Sequence, residues 1–255
     1  MAAEPADVSE DTILGGRLVL RQPLKGHRVG HDAILLAAAS SVRPGGHVVD
    51  LGAGVGAAGL AAARRVKDVT VTLVEIDASL LALAEENIAR NDLRGRVRAV
   101  CLDVAASPAA FAAAGLRPGS ADHVLMNPPF NAAHNPSPDR RRRLAHSASR
   151  DTLARWLRTV ARLLRPTGAL TLIWRADGLD AVLASLAGGF GAIAVLPVHP
   201  KPDTTAVRVL VRAVKASRAP LSLLPAFVLA DAQGRPTEEA EAVLREGAAL
   251  PLFWD

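Results

Sequence analysis

Apolar and polar positions follow one another along the chain in blocks that predict a succession of short strands and helices. Thr12-Ile13-Leu14 and Arg17-Leu18-Val19-Leu20 flank Gly15-Gly16, the signal of a two-residue hairpin turn. An apolar helix is expected over 33–41, with Asp32 as its N-cap. Segments 48–51, 69–74, 97–102 and 124–126 read as buried strands, with helices over 57–66 and from Asp77 or Ser79 to Asn91. Leu153, Trp156, Leu157, Val160, Leu163 and Leu164 then share one face of an amphipathic helix, and Arg155, Arg158, Arg162 and Arg165 line the other. A strand over 169–174 and a helix over 177–186 precede two apolar runs, 192–198 and 207–211. The His199-Pro200-Lys201-Pro202-Asp203 connection makes those two an antiparallel hairpin at the sheet edge. Segment 221–229 is apolar, and Thr237 caps a short acidic helix.

The strand over 124–126 ends on Asn127-Pro128-Pro129-Phe130. Neither proline can donate a ladder hydrogen bond, so the strand stops there. An amide side chain, a backbone carbonyl and an aromatic ring are thereby gathered at a strand's carboxyl end, where open α/β sheets bind ligands. Asn127 Oδ1 and the Pro128 carbonyl can both accept hydrogen bonds from one planar amine, and Phe130 can stack on the ring that carries it. A tight Pro-Pro turn with no ligand is the plain alternative.

Val48-Val49-Asp50-Leu51, the turn Gly52-Ala53-Gly54-Val55-Gly56 and the helix after it form the nucleotide-cradling unit of doubly wound folds. The spacing alone also permits a dinucleotide. Asp50 discriminates: a carboxylate two positions before the turn repels a pyrophosphate and attracts an ammonium, which favours S-adenosylmethionine over NAD. Glu75 stands about 20 residues after the turn, where an acidic side chain hydrogen-bonds a ribose diol. Asp103, at the end of the strand over 97–102, can accept from an adenine amine or cap the next helix.

The 255 residues suit one large domain; residues 1–11 read as a disordered tail ahead of a single domain over 12–255. No stretch approaches the roughly 18 uninterrupted apolar residues of a membrane span. The acidic start lacks an apolar signal-peptide region, and a cytoplasmic location is expected. Cys101 is the only cysteine, which excludes an internal disulfide and a multi-cysteine metal site. His134 and His146 have no ligand partners at metal spacing, and no metal is expected. The net charge is +5, yet 134–165 alone carries nine arginines against Asp139 and Asp151. That block, with Arg140, Arg141, Arg142 and Arg143 in a polar segment expected to be a mobile loop (131–149), points to a polyanion partner. Arg155, Arg158 and Arg162 belong to the same candidate nucleic-acid surface.

With these residues in place the chain resembles the class I S-adenosylmethionine-dependent methyltransferases, through DLGAGVG (50–56), VEID (74–77), LDV (102–104) and NPPF (127–130). LRQPLKGHRVGHDAILLAAA (20–39) and HPKPDTTAVRVLVRAVK (199–215) narrow the resemblance to the bacterial tRNA(Val) adenine-N6 methyltransferases, which modify the adenosine 3′ of the anticodon. The resemblance implies a Rossmann-like, seven-stranded, mostly parallel sheet with an antiparallel edge hairpin. It also implies that the segment with Gly26, Arg28 and Asp32 folds over the cofactor, within a hairpin-and-loop region over 12–32. The cofactor set is then Arg28, Asp32, Asp50, Gly52, Gly54, Gly56, Glu75, Ile76, Asp103, Val104 and Asn127, and Asn127, Pro128 and Phe130 carry the chemistry. The partner implied is tRNA. Members of the family often carry tyrosine where His27 stands and a second aromatic where this chain has Asn131. Three rival readings remain: the same chemistry on a protein glutamine, rRNA or DNA; a nicotinamide-dependent oxidoreductase; and a non-catalytic RNA-binding protein.

Overall fold

The computed structural model describes residues 8–24, 28–128 and 140–250, with 140–150 as backbone only. The chain opens on a hairpin of β1 (Val8–Ile13) and β2 (Leu18–Pro23). The nine-stranded main sheet holds β3 (His47–Leu51), β4 (Thr70–Glu75), β5 (Val97–Cys101), β6 (Ala121–Met126), β7 (Leu164–Arg175), β8 (Phe190–His199), β9 (Arg208–Lys215), and the two-residue β10 (Ser222–Leu223) and β11 (Phe227–Val228). From one edge the order is β5, β4, β3, β6, β7, β9, β8. All neighbours from β5 to β7 are parallel, and β9 runs antiparallel to both β7 and β8.

Inward positions on both faces explain the near-continuous apolar strands. Val48, Val71, Leu73, Leu125 and Ile173 join one core, which takes in α1 (His31–Ala38), α2 (Ala57–Arg65), α3 (Ala78–Arg90) and α7 (Glu238–Leu244). Their alternates Val49, Leu51, Val74, Val124, Met126 and Leu172 join the other, with α4 (Pro108–Ala113), α5 (Arg140–Leu163) and α6 (Leu179–Leu186).

The order of connection reverses between β3 and β6. Sequential strands β3, β4 and β5 run one way from that point, and β6 and β7 the other. Such a switch point opens a crevice at the carboxyl ends of the two strands. Leu51 pairs with Met126 there, and Leu51 also pairs with Val74.

Several sequence expectations need correction. The first strand begins at Val8, so residues 8–11 are not a tail: Val8 pairs with Pro23 and Asp11 with Leu20. This acidic strand is held by Glu10–Arg90 (2.8 Å) and Asp11–Arg28 (2.9 Å) ion pairs. The hairpin turn is longer than two residues, because the last strand pair is Ile13 with Leu18. Asp32 does not cap α1; Gly30 does, without a side-chain bond, and Asp32 pairs with Arg208 at 2.9 Å. Residues 140–149, expected in a loop, are helical and begin α5. The late antiparallel pair does not close the sheet, since β9 is interior and β10 and β11 add to β8, giving nine strands where seven were expected. As expected, Asp77 caps α3 and Thr237 caps α7.

Two buried asparagines on the α3 side dock the hairpin. Asn91 Oδ1 accepts from Val19 N at 2.9 Å while its Nδ2 donates to Val19 O at 2.7 Å. Asn87 does the same with Arg21, at 2.7 and 3.0 Å, and also donates to Val55 O at 3.0 Å. The amide side chains act as a substitute strand for β2 and tie the hairpin to the glycine turn.

Candidate active site

The turn after β3 requires its glycines. Gly52, Gly54 and Gly56 have φ of 70°, 57° and 89°, the left-handed region that other residues enter at a cost. A Cβ on Gly52 would also stand 2.5 Å from Trp156 Cη2, whereas one on Gly54 would meet open space. Four of the turn's five amides are occupied within the protein. Gly52 N and Ala53 N both donate to Val74 O (2.8 and 3.0 Å), Gly56 N to Ala53 O (2.8 Å), and Gly54 N to Glu75 Oε2 (2.8 Å). A pyrophosphate would need such amides free, which counts against the dinucleotide reading.

Glu75, buried at the end of β4, accepts from Gly54 N with one oxygen and from Ile76 N (2.8 Å) and Asp77 N (2.9 Å) with the other. A carboxylate has about four lone-pair sites, so room remains for a hydroxyl donor. Ile76 beside it is 63% exposed, an apolar side chain open at the rim. Asp103 Oδ1 accepts from Ala105 N at 2.8 Å and shapes the loop after β5. It is not the cap of α4, which is Ser107. Val104 is buried next to it.

Asp50 differs from its expected role as an open partner for an ammonium group. The side chain is buried and Oδ2 accepts from Gly59 N of α2 at 2.8 Å. Burial pushes its carboxyl up to about 7, against the lowering effect of the Gly59 bond and with a further push from Glu75. Its first task is to join β3 to α2 beneath the turn.

On the β6 side, Asn127 follows Met126 out of the sheet beside Gly52. Asn127 Oδ1 is buried and, among the described residues, has no hydrogen-bond partner. An orphaned buried acceptor is costly unless a donor arrives. Pro128 is buried next to it. Phe130 and Gly26 lie outside the described residues, as do the side chains of Arg140, Arg141, Arg142 and Arg143.

The remaining candidates separate. Asp32 reaches the same sheet edge through Arg208, at the carboxyl end of β7. Arg28 is paired with Asp11 of the hairpin at 2.9 Å. Arg155 and Arg158 are exposed. Arg162 departs from the phosphate-contact expectation: its guanidinium packs 5.2 Å from the centre of the Phe111 ring, Nε is buried, and Nη2 donates to Thr159 at 3.3 Å. Sequence reasoning did not single out Trp156 and Thr159, which α5 brings against Gly52 and Val104. Their one visible signal was a spacing of three along the helix.

A cleft of about 520 Å³ lies at the opposite, amino ends of β3, β6 and β7, lined by Arg43, Asp122, His123, Arg165 and Arg212 among others. Three guanidiniums against one carboxylate make it unsuited to a cationic cofactor. The donor set at the carboxyl edge does fit S-adenosylmethionine: acidic side chains, an open glycine, an exposed isoleucine and engaged turn amides.

Comparison with known proteins agrees with this geometry. The model of the methyltransferase small domain family matches residues 28–183. A tRNA1(Val) (adenine(37)-N6)-methyltransferase of Bacteroides thetaiotaomicron is 31% identical over 188 residues, 72% of this chain and 75% of that one. One of Tolumonas auensis is 32% identical over 166 residues, 64% and 66% of the two chains. The crystal structure of a predicted O-methyltransferase from Agrobacterium tumefaciens superposes with a TM-score of 0.73 at 28% identity, over 86% of this chain and 98% of that one. The tRNA (m1A58) methyltransferase of Aquifex aeolicus shares the fold, with a TM-score of 0.54 at 17% identity over 77% and 72% of the chains.

Proposed function

The chain belongs to the methyltransferase small domain family, and from that premise we propose that it methylates the N6 amine of the adenosine beside the anticodon of tRNA(Val). It is an S-adenosylmethionine-dependent enzyme. The observation that carries the amine reading is Asn127 Oδ1, buried and without a partner among the described residues, at the carboxyl end of β6 beside the glycine turn.

S-adenosylmethionine, when bound, supplies a methyl group already activated for transfer. Glu75 would hold its ribose, Ile76 and the loop with Asp103 and Val104 its adenine, and the turn with Gly52, Gly54 and Gly56 its amino-acid portion. The protein's remaining work is proximity and alignment. Asn127 Oδ1 and the Pro128 carbonyl accept the two hydrogens of the substrate amine. That pair of bonds fixes the amine's plane and reduces delocalisation of its lone pair into the ring. Phe130 stacks on a base swung out of a single-stranded loop, which costs less than extrusion from a duplex.

An oxygen acceptor, the kind named for the Agrobacterium protein, needs a base to take the hydroxyl proton. The described residues at the end of β6 offer an amide and a carbonyl instead. Arg155 and Arg158 supply an electrostatic surface for RNA, and the names of the Bacteroides and Tolumonas relatives support tRNA as that RNA. The reading is tested by incubating the purified protein with labelled S-adenosylmethionine and separated cellular tRNA, rRNA, DNA and protein. Label should enter tRNA; label in protein alone would replace this substrate with a glutamine.

A further inference from the structure

Helix α5 touches three segments through one ridge of residues spaced by three, two of them, the turn after β3 and the loop after β5, at the carboxyl edge. Trp156 lies against Gly52, so closely that a Cβ there would be 2.5 Å from its ring. Thr159, buried, donates from Oγ1 to Val104 O at 2.8 Å. Arg162 packs over Phe111 of α4, and its carbonyl accepts from Gly119 N at 3.0 Å. An i±3 row forms a continuous ridge on a helix surface, so these contacts move together. The turn after β3 and the loop after β5 are otherwise separated by β4, and α5 bridges them directly.

We propose that Trp156 and Thr159 are positioning residues for the cofactor: they hold the Gly52 turn and the Val104 loop at the separation that lets both contact it. The proposal rests on the cofactor reading above. Glu75 fixes the turn from the β4 side by its bond to Gly54 N, but nothing in that bond reaches Val104. The Thr159 hydroxyl makes a polar link between α5 and the loop after β5, and it satisfies a carbonyl that would otherwise face an apolar helix. The Trp156 ring fills the space that a side chain on residue 52 would take, which fixes how far the turn can approach α5. Arg155 and Arg158 stand on the same helix and face outward.

The test is calorimetric binding of S-adenosylhomocysteine to the full-length protein, with melting temperatures in parallel. Thr159→Val removes the hydroxyl and keeps the shape; Thr159→Ser returns it. The expected result is a dissociation constant raised about 3- to 10-fold in Thr159→Val, the scale of one hydrogen bond, and restored in Thr159→Ser. In turnover the same variant should show a raised KM for S-adenosylmethionine with kcat nearly unchanged. Trp156→Leu, at a partly exposed position, should weaken binding similarly and serves where Thr159→Val folds poorly. Unchanged affinity in Thr159→Val and Trp156→Leu, or a loss that Thr159→Ser fails to reverse, would overturn the proposal while leaving the cofactor assignment intact. Absence of binding by the unmodified protein would remove both.

Discussion

Leu51 of β3 pairs in register with Met126 of β6, so Gly52 and Asn127 leave the sheet side by side. This juxtaposition puts the glycine turn of the cofactor side next to the buried acceptor of the substrate side. It needs both this register and the strand order, because β3 and β6 are neighbours only where the connection reverses.

Asn127→Ala should lower methyl transfer by roughly 100-fold or more, the scale of one aligned polar contact at a transition state. Oδ1 has no partner among the described residues, so the substitution removes no Oδ1 bond seen there. The melting temperature and S-adenosylhomocysteine affinity should therefore change little. Normal turnover by this variant would reduce Asn127 to a turn residue.

Glu75→Gln tests the opposite arrangement, a side chain with three backbone donors. Glutamine replaces one acceptor oxygen with an NH₂ that must face an amide. Destabilisation of roughly 1–3 kcal/mol is expected, with S-adenosylhomocysteine affinity reduced about tenfold or more. Denaturant titration and calorimetry measure both; an intact affinity would show that the carboxylate serves only β4.

Much of this site is legible in the sequence, because its signals are local. Strand positions, the glycine turn, the Asn-Pro-Pro stop and the Asp77 and Thr237 caps all follow from residues a few positions apart, although β6, β7 and β9 run longer than their apolar cores. The misses share a cause. Val8–Ile13 carries no apolar period and forms through Arg90 and Arg28, far along the chain. Asn87 and Asn91 read as ordinary helix polar residues, since their partners in β2 lie 66 to 72 positions away. Asp32 has the right type for a cap but is drawn to Arg208. Arg162 sits on the charged stripe by periodicity, and only packing reveals that it folds back on Phe111.

Asp50 gives the stability a pH dependence of known sign. Its folded pKa is raised to about 7 from 3.8, so between those values the folded protein holds a proton that the unfolded chain has released. Its contribution to stability is therefore greatest at low pH and falls as pH rises toward 7. Asp50→Asn keeps an acceptor for Gly59 N and removes the titration. The variant's stability relative to the parent should rise between pH 5 and pH 8 in urea unfolding. His123, held neutral by burial with a pKa of about 3, acts in the opposite direction but is common to both proteins. Parallel pH profiles would mean that Asp50 is ionised throughout.

The arginine stripe divides into two classes with different readouts. Arg155→Ala with Arg158→Ala should flatten the dependence of RNA affinity on salt, by about 0.7–0.9 in logarithmic slope for each phosphate no longer neutralised. Arg162→Ala should leave that slope unchanged and lower the melting temperature, because its guanidinium is packed over Phe111. Equal effects of the two on the slope would contradict the assignment.

The central claim is the transfer of a methyl group to one adenine amine, and nucleoside mass spectrometry of a tRNA(Val) transcript tests it most directly. After incubation with the enzyme and S-adenosylmethionine, N6-methyladenosine should appear at the position 3′ of the anticodon, and a transcript with guanosine there should accept no methyl. An unmodified adenosine at that position, with methyl found on protein glutamine or elsewhere in the RNA, would contradict it.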